Sequence, residues 1–264
     1  MRCLLINLDH APERRARMQD RAAALGLSLE RLPAVAAADI SAEEMEGLGR
    51  SWERPLSAPE LGCFLSHYRA WDMVARGEAP MLILEDDVIL SPRVTAVLDR
   101  AAGLDGVDLL NLEDFGKRRF LRRGGRISLG DGIDAVPLVR DKAGSAAYIL
   151  WPHGARKLLA RAQRGGAPAD AFLHAETGLA SMICEPAMAI QEHVMAARNG
   201  QAGTVASSVQ AARTRLPLRL ATIPFHLRRA RTQLRLAPKH IGRLGPYVYR
   251  KVAFDTTSLS ESQR

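Results

Sequence analysis

The chain reads Met81-Leu82-Ile83-Leu84-Glu85-Asp86-Asp87-Val88-Ile89-Leu90 across its ninth decade. Three consecutive carboxylates are set into an apolar run. A run of Met, Leu, Ile and Leu predicts a strand buried on both faces. Ionised carboxylates tolerate such burial only where positive or donor groups meet them. Acids at the carboxyl end of a central strand lie where an open α/β sheet places its ligand crevice. Hard oxygen donors clustered there suit Mg²⁺ or Mn²⁺. The plainer alternative is a strand running into a solvated turn. Adjacent strand residues point to opposite faces, so Asp86 and Asp87 can act together only if the backbone turns by Asp86.

Outward from this strand, the pattern alternates. Residues 2–8 read as a buried strand ending at Asn7, and Pro12 opens a helix that Gly26 closes. A second strand is expected over 28–35. Ser41 and Glu44 have capping-box spacing before a short helix. Leu61, Phe64, Leu65, Tyr68, Trp71 and Val74 recur at helical steps over 59–76. Further strands are expected near 107–112, 133–139 and 145–151, and helices over 92–102 and 152–164. Residues 116–132 are glycine-rich and basic, and read as a hairpin or a mobile loop. The alternation predicts an α/β fold with a mostly parallel, Rossmann-like sheet. Its rim would gather Asn7, Val35 and Glu85.

The 264 residues are 47% hydrophobic and 25% charged, enough for one large domain and an appendage. The net charge of +8 is uneven. Residues 1–192 hold 24 basic and 27 acidic residues; residues 193–254 hold twelve basic residues and no acid. A boundary is therefore expected at 192, with a basic tail over 193–264. Within 209–251, Leu, Ile and Phe interleave with arginines, the composition of an element lying on an anionic membrane surface. Four prolines (Pro217, Pro224, Pro238, Pro246) would cut it into short helices. Nucleic acid would attract the same charges, but the apolar content favours membrane. Three scattered cysteines offer no disulfide framework, and the N-terminus does not read as a signal peptide. A cytoplasmic protein, peripheral on the inner face of the membrane, is the expectation.

Several stretches together resemble glycosyltransferase family 25, the bacterial lipopolysaccharide glycosyltransferases and their collagen-galactosylating relatives. They are Ile6-Asn7-Leu8-Asp9 with Arg14 and Arg15, Leu32–Val35, Glu60–Tyr68 with Trp71, Leu82–Val88, Gly144–Leu150, Pro168-Ala169-Asp170, and Glu185-Pro186 with Gln191. Pro59, Ser145 and Ala169 depart from the family's more common Gly, Thr and Val. The resemblance implies a GT-A-like, inverting transferase using a nucleotide-sugar donor, with UDP-galactose the best-known one.

Under that resemblance, Asp87 and then Asp86 are the expected metal contacts, and Glu85 faces the ribose or donor sugar. Asn7, Arg14, Val35 and His67 are expected around the donor. Arg14 reads equally well as a solvated helix residue, and His67 as a satisfied core histidine. No second histidine stands three or four positions from His67, which argues against zinc. Inversion needs a base opposite the leaving group. Asp170 is the leading candidate, with Glu176 and Glu192 behind it; Asp170 could instead cap a helix. Lys117, Arg118, Arg119, Arg122, Arg123 and Arg126 suggest a lid drawing in an anionic acceptor. Rival readings are a metal-dependent nucleotidyltransferase or phosphoesterase, and a non-catalytic basic binding protein.

Overall fold

A computed structural model describes residues 1–140, 144–175, 178–201, 216–242 and 245–257. In chain order the elements are β1 (Arg2–Asn7), α1 (Pro12–Ala24), β2 (Leu29–Pro33), α2 (Ala42–Gly47), α3 (Ala58–Arg76), β3 (Met81–Glu85), β4 (Val88–Leu90), α4 (Val94–Ala101), β5 (Leu109–Asn111) and β6 (Glu113–Asp114). There follow β7 (Arg119–Arg122), β8 (Ile127–Gly130), β9 (Ile133–Arg140), β10 (Ala147–Leu150), α5 (Pro152–Ala162), α6 (Ala169–His174), β11 (Ser181–Glu185), β12 (Ala189–Gln191), α7 (Glu192–Arg198), α8 (Ile223–Ile241) and β13 (Tyr247–Arg250).

The main sheet has the order β13-β7-β9-β11-β5-β10-β3-β1-β2, with β8 paired to β9. It is an α/β sheet of mixed sense. β1 runs parallel to β2 and β3, and β5 parallel to β11. β10 enters antiparallel between β3 and β5. β3 reads as a continuous apolar run because both its faces are covered. Leu82 and Leu84 pack in one layer with Met18 of α1 and Val97 of α4. Met81 and Ile83 pack in the other with Phe64, Trp71 and Val74 of α3 and Leu158 of α5.

As the apolar run requires, β3 stops at Glu85 and the chain turns at Asp86 and Asp87 before β4. β4 belongs to a second, three-stranded sheet, β4-β12-β6. Gln191 pairs with Val88, and Ala189 with Glu113. This small sheet closes the space beyond the ends of β1 and β3, and nothing in the local pattern announces it.

α3 is fixed at both ends of its first three turns. Ser57 and Glu60 form a capping box. Ser66 Oγ accepts from the Val35 amide at 2.8 Å and donates to Gly62 O at 2.7 Å. The helix approaches so closely that a Cβ on Gly62 would stand 2.5 Å from Val35 O.

Two expectations need correction. Of the two readings for the basic stretch 116–132, the hairpin holds and the mobile loop or lid does not: β8 pairs antiparallel with β9 across a short turn, and β7 pairs with β9 and β13. Arg119 is buried, donating to Asn111 Oδ1 at 3.1 Å and to Glu113 O. Arg126 pairs with Asp134 at 2.6 Å and Glu185 at 3.1 Å. The tail is not a series of short helices either. α8 runs for 19 residues, with Pro224 in its first turn and Pro238 in its last, where few backbone bonds are lost. β13 then joins the main sheet, Val252 and Phe254 are buried, and Arg250 pairs with Glu185. The end of the expected tail thus packs on the body. Residues 202–215 lie outside the described residues.

Gly62→Ala is expected to lower unfolding stability by roughly 1–3 kcal/mol, the usual range for overpacking a tight contact. Urea melts of the two proteins would measure it. An unchanged midpoint would show that α3 can shift away from Val35.

Candidate active site

The sheet gathers the sequence-expected residues at one rim, since Ile6 is in register with Glu85 and Asn7 with Pro33. Three carboxylates leave the end of β3 in three directions, each meeting a different set of partners.

Glu85 meets the core. Its Oε1 accepts from Ser145 Oγ at 2.8 Å and lies 3.2 Å from His67 Nε2. His67 Nδ1 lies 2.9 Å from Tyr148 Oη, and Trp71 Nε1 donates to the same oxygen at 2.9 Å. An indole N–H only donates and a carboxylate only accepts, so the directions follow. Trp71 donates to Tyr148, Tyr148 to His67 Nδ1, and His67 Nε2–H to Glu85. All four polar groups are satisfied by a neutral imidazole. Burial works to raise the Glu85 pKa, but the hydrogen bonds from His67 and Ser145 outweigh it and hold the carboxyl below its ordinary value. His67 is therefore both a fully buried core residue and a site residue. Trp71 is a core residue, as expected.

Asp86 meets α1 and β1. It accepts from Asn7 Nδ2 at 2.7 Å and from Arg14 Nη1 at 3.2 Å. Asn7 is buried, and its Oδ1 accepts from Arg31 Nε at 3.2 Å. Arg14 is thus no idle surface arginine; it balances Asp86.

Asp87 meets the small sheet. Gln191 Nε2 reaches both its oxygens at 3.3 Å. Burial, reinforced by the charges of Glu85 and Asp86, pushes its pKa up to about 7. Glu113, on β6, is fully buried and is raised to about 8, first by burial and then by the charge of Glu85. Its Oε2 accepts from the Ala146 amide at 2.9 Å. Two strongly perturbed carboxyls beside an ionised one mark a site built around negative charge.

Val35 sits on the rim, with its amide already held by Ser66. Asp170 occupies the first turn of α6; its Oδ1 accepts from the Ala171 amide at 2.6 Å, and its charge acts on Arg54 and on Cys63. Pro168, not Asp170, is the residue preceding α6, and it gives no side-chain cap. Glu176 lies outside the described residues. Glu192 is tied to Arg21 at 2.6 Å and Arg17 at 3.7 Å, an ion-pair arrangement that occupies the carboxylate expected as a reserve base.

The structure adds two residues, Cys63 and His193, that were not among the expected site residues. Cys63, His67 and Glu85 bring ligand atoms within 4.8 Å of one another. A search for a second histidine missed this, because the partner is a cysteine four positions before His67. Burial, with nearby carboxylates, raises the Cys63 thiol well above its ordinary pKa. His193, at the start of α7, is half-buried and carries a buried Nδ1 without a hydrogen-bond partner. Burial lowers its pKa, and the charge of Glu85 partly opposes that.

Comparison with known proteins accords with this geometry. Residues 1–173 match the model of glycosyltransferase family 25, described as lipopolysaccharide biosynthesis proteins. A glycosyltransferase 25 family member of Aedes aegypti is 33% identical over 169 residues, covering 59% of this chain and 27% of that protein. A procollagen galactosyltransferase 1 of Danio rerio is 35% identical over 94 residues, covering 32% of this chain and 16% of that protein. An inactive glycosyltransferase 25 family member 3 of Homo sapiens is 29% identical, covering 64% and 30%. The chain thus spans under a third of the length of these relatives. An inositol-1-phosphate CTP transferase of T. maritima aligns at a TM-score of 0.35 and 11% identity, over 72% of this chain and 69% of that one.

A match over residues 1–173 places the chain in a class, that of glycosyltransferases. In particular, it belongs to glycosyltransferase family 25.

Tyr148→Phe is expected to leave Trp71 Nε1–H buried and unpaired, at a cost of roughly 1–3 kcal/mol in stability. It also removes the donor to His67 Nδ1. Thermal melts would measure the first effect. A histidine Nε2 proton resonance that vanishes or shifts in the variant would report the second.

Proposed function

We propose that the protein transfers a hexose, galactose in the first instance, from a UDP-sugar to a saccharide acceptor of the lipopolysaccharide type, with inversion at the anomeric carbon. The observation that carries this reading is the carboxylate fan at the end of β3. Glu85 is held ionised by His67 and Ser145, while Asp87, next to it in the turn after β3, is left with a raised pKa.

An ion fits that rim on the chemistry of its donors. Asp87 is buried with only an amide as hydrogen-bond partner, and the neighbouring carboxylates raise its proton affinity. A hard divalent cation answers the same need as a proton. Asp87 first and Asp86 second would hold Mn²⁺ or Mg²⁺, and the oxygen-rich set favours either over softer metals. Such an ion, when bound, stabilises negative charge on the departing diphosphate. Arg14 and Asn7 hold Asp86 in place rather than reaching the donor themselves. Glu85, fixed by two donors, accepts from a donor hydroxyl, and the Val35 main chain edges the nucleotide.

Asp170 is proposed as the base that takes the acceptor hydroxyl proton. What supports this is that the charge of Asp170 acts on Arg54, itself paired with Glu60 at 2.5 Å, and on Cys63, whose thiol lies near Glu85. His193, with its orphaned Nδ1, is available to a substrate oxygen on the opposite wall.

Anionic membrane is the proposed setting, the cytoplasmic face in particular. The support is α8. Ile223, Leu227, Ala230, Leu234, Ala237 and Ile241 fall on one side of it and are exposed. Phe225 and Leu236 face the body. No helix among the described residues is long and apolar enough to cross a membrane. Of the expected segment 209–251, residues 247–250 are sheet-bound, so α8 is the part proposed to dock.

Three outcomes are expected. Metal-dependent UDP release, with a glycoside as second product, falls at least 100-fold in Asp87→Ala, scored by product chromatography with and without EDTA. Pyrophosphate or phosphate release without a glycoside would favour the nucleotidyltransferase or phosphoesterase reading instead. Asp170→Asn lowers kcat 10²–10⁴-fold with little change in donor binding, the range usual for losing a general base. Leu227→Glu with Leu234→Glu weakens co-sedimentation with phosphatidylglycerol vesicles at least tenfold while leaving UDP release from the donor in the presence of soluble acceptors intact.

A further inference from the structure

A second cavity lies away from the carboxylate rim. It is a cleft of about 820 Å³ between α8, α5, α6 and the segment 51–53. That volume suits a saccharide-sized ligand. Its charged lining is Lys157, Arg161, Arg164, Arg228, Arg231 and Arg235, against one carboxylate, Glu53.

Few of these cations are spent on the protein. Lys157 pairs with Asp108 at 2.6 Å. Arg228 donates to the carbonyls of Arg50 and Trp52 at 2.7 and 3.0 Å, which fastens α8 over the cleft. Arg161 donates to Phe172 O at 2.7 Å and stacks on the Phe172 ring at 4.2 Å. No carboxylate pairs with Arg161, Arg164, Arg231 or Arg235 in the ion pairs among the described residues. Burial lowers the Arg161 pKa to about 10, the mark of a guanidinium that has lost water without gaining a counter-ion.

The cleft also adjoins the proposed reaction site. Ala171 and His174 of α6 line it, and α6 begins with the residue pair that includes Asp170. His174 Nε2 lies 3.1 Å from Gly144 O, next to the Ser145 that holds Glu85.

We propose that this cleft binds the phosphate of a phosphorylated saccharide acceptor, through Arg164 from the turn after α5 and Arg231 and Arg235 from α8. Guanidinium forks match phosphate oxygens two at a time, and the turn and the helix supply them from two elements of the cleft wall. The proposal deepens the glycosyltransferase reading and rests on it for the word acceptor. Phosphate binding itself does not, so the two can fail separately.

The test uses the full chain and two probes, glucose 6-phosphate and glucose, by titration calorimetry at low salt. UDP binding is measured in parallel as the control for folding and for the donor site. Wild-type protein is expected to bind glucose 6-phosphate at least tenfold tighter than glucose. Arg164→Gln/Arg231→Gln/Arg235→Gln is expected to lose that preference with UDP affinity unchanged, and the matching triple lysine variant to keep part of it. A parallel arm with phosphatidic acid vesicles separates sources. Loss of soluble sugar phosphate alone assigns the cleft to the saccharide phosphate; loss of both extends it to a lipid-borne one. Equal binding of the two sugars, no binding of either, or an unaltered triple variant would overturn the proposal. So would tighter binding of a twelve-nucleotide RNA than of glucose 6-phosphate. A failure of UDP binding in the wild type, with sugar phosphate bound, would strike the donor reading and leave the cleft standing.

Discussion

Burying an ionised carboxylate at the end of an apolar strand is the constraint around which this fold is arranged. Glu85 can stay charged there only if donors reach it. Ser145 supplies one from the strand side and His67 the other from the helix side. His67 in turn needs a partner for Nδ1, which is Tyr148, and the Tyr148 oxygen is completed by Trp71. The large residues of the α3 face are therefore not only filling space. They position one proton on one imidazole nitrogen. The close approach at Gly62 and the Ser66–Val35 bond fix the height of α3 against the sheet, and so the height of His67 against Glu85.

The charge at the rim is deliberately uneven. Asp86 is balanced by Arg14, and Glu85 by neutral donors, but the Asp87 carboxylate accepts from the Gln191 amide and that of Glu113 from the Ala146 amide. The raised pKa values of those two carboxyls measure the imbalance. A site at rest would be more stable if arginines faced all four acids. Glu113 already feels the charge of Arg119, whereas Asp87 pairs with no cation in the ion pairs among the described residues, and its field is left for something that arrives with positive charge. Across α6 the imbalance has the opposite sign, since four arginines there pair with no carboxylate in the ion pairs among the described residues. A donor with a cation-bridged diphosphate at the rim and an acceptor phosphate in the cleft would satisfy both.

Local pattern carried much of this. The helical repeat from Leu61 to Val74 and the capping box at Ser41 stand where the spacing puts them. The turn at Asp86 followed from strand geometry alone, because two adjacent acids cannot share a face of a continuing strand. Glu113 was not legible. It lies in Asn111-Leu112-Glu113-Asp114, acids directly after a strand, the same signal as at Glu85, but its burial depends on β12 pairing from almost eighty residues away. Long-range pairing leaves no local period to read. The same holds for Arg119, whose surroundings of Lys and Arg suggest solvent, while its partner Asn111 lies on β5, separated from β7 by β9 and β11 in the sheet order.

The basic C-terminal part shows how composition can be right and still leave the arrangement open. Leucines among arginines announce an amphipathic helix, yet a helix has one buried face by ordinary expectation and α8 has two apolar ones. Phe225 and Leu236 satisfy the first against the body. Ile223, Leu227, Leu234 and Ile241 form the second and remain in solvent at 39%, 64%, 75% and 69% exposure. Burying such residues is worth roughly 1.5–3 kcal/mol each. A chain that needed only to pack α8 on itself would carry polar residues at those positions. Arg228 binding backbone carbonyls holds the inner face down, so the outer face cannot rotate inward without breaking those bonds. The stripe is thus presented outward, with arginines along its edge, and the proposed anionic membrane surface would satisfy both.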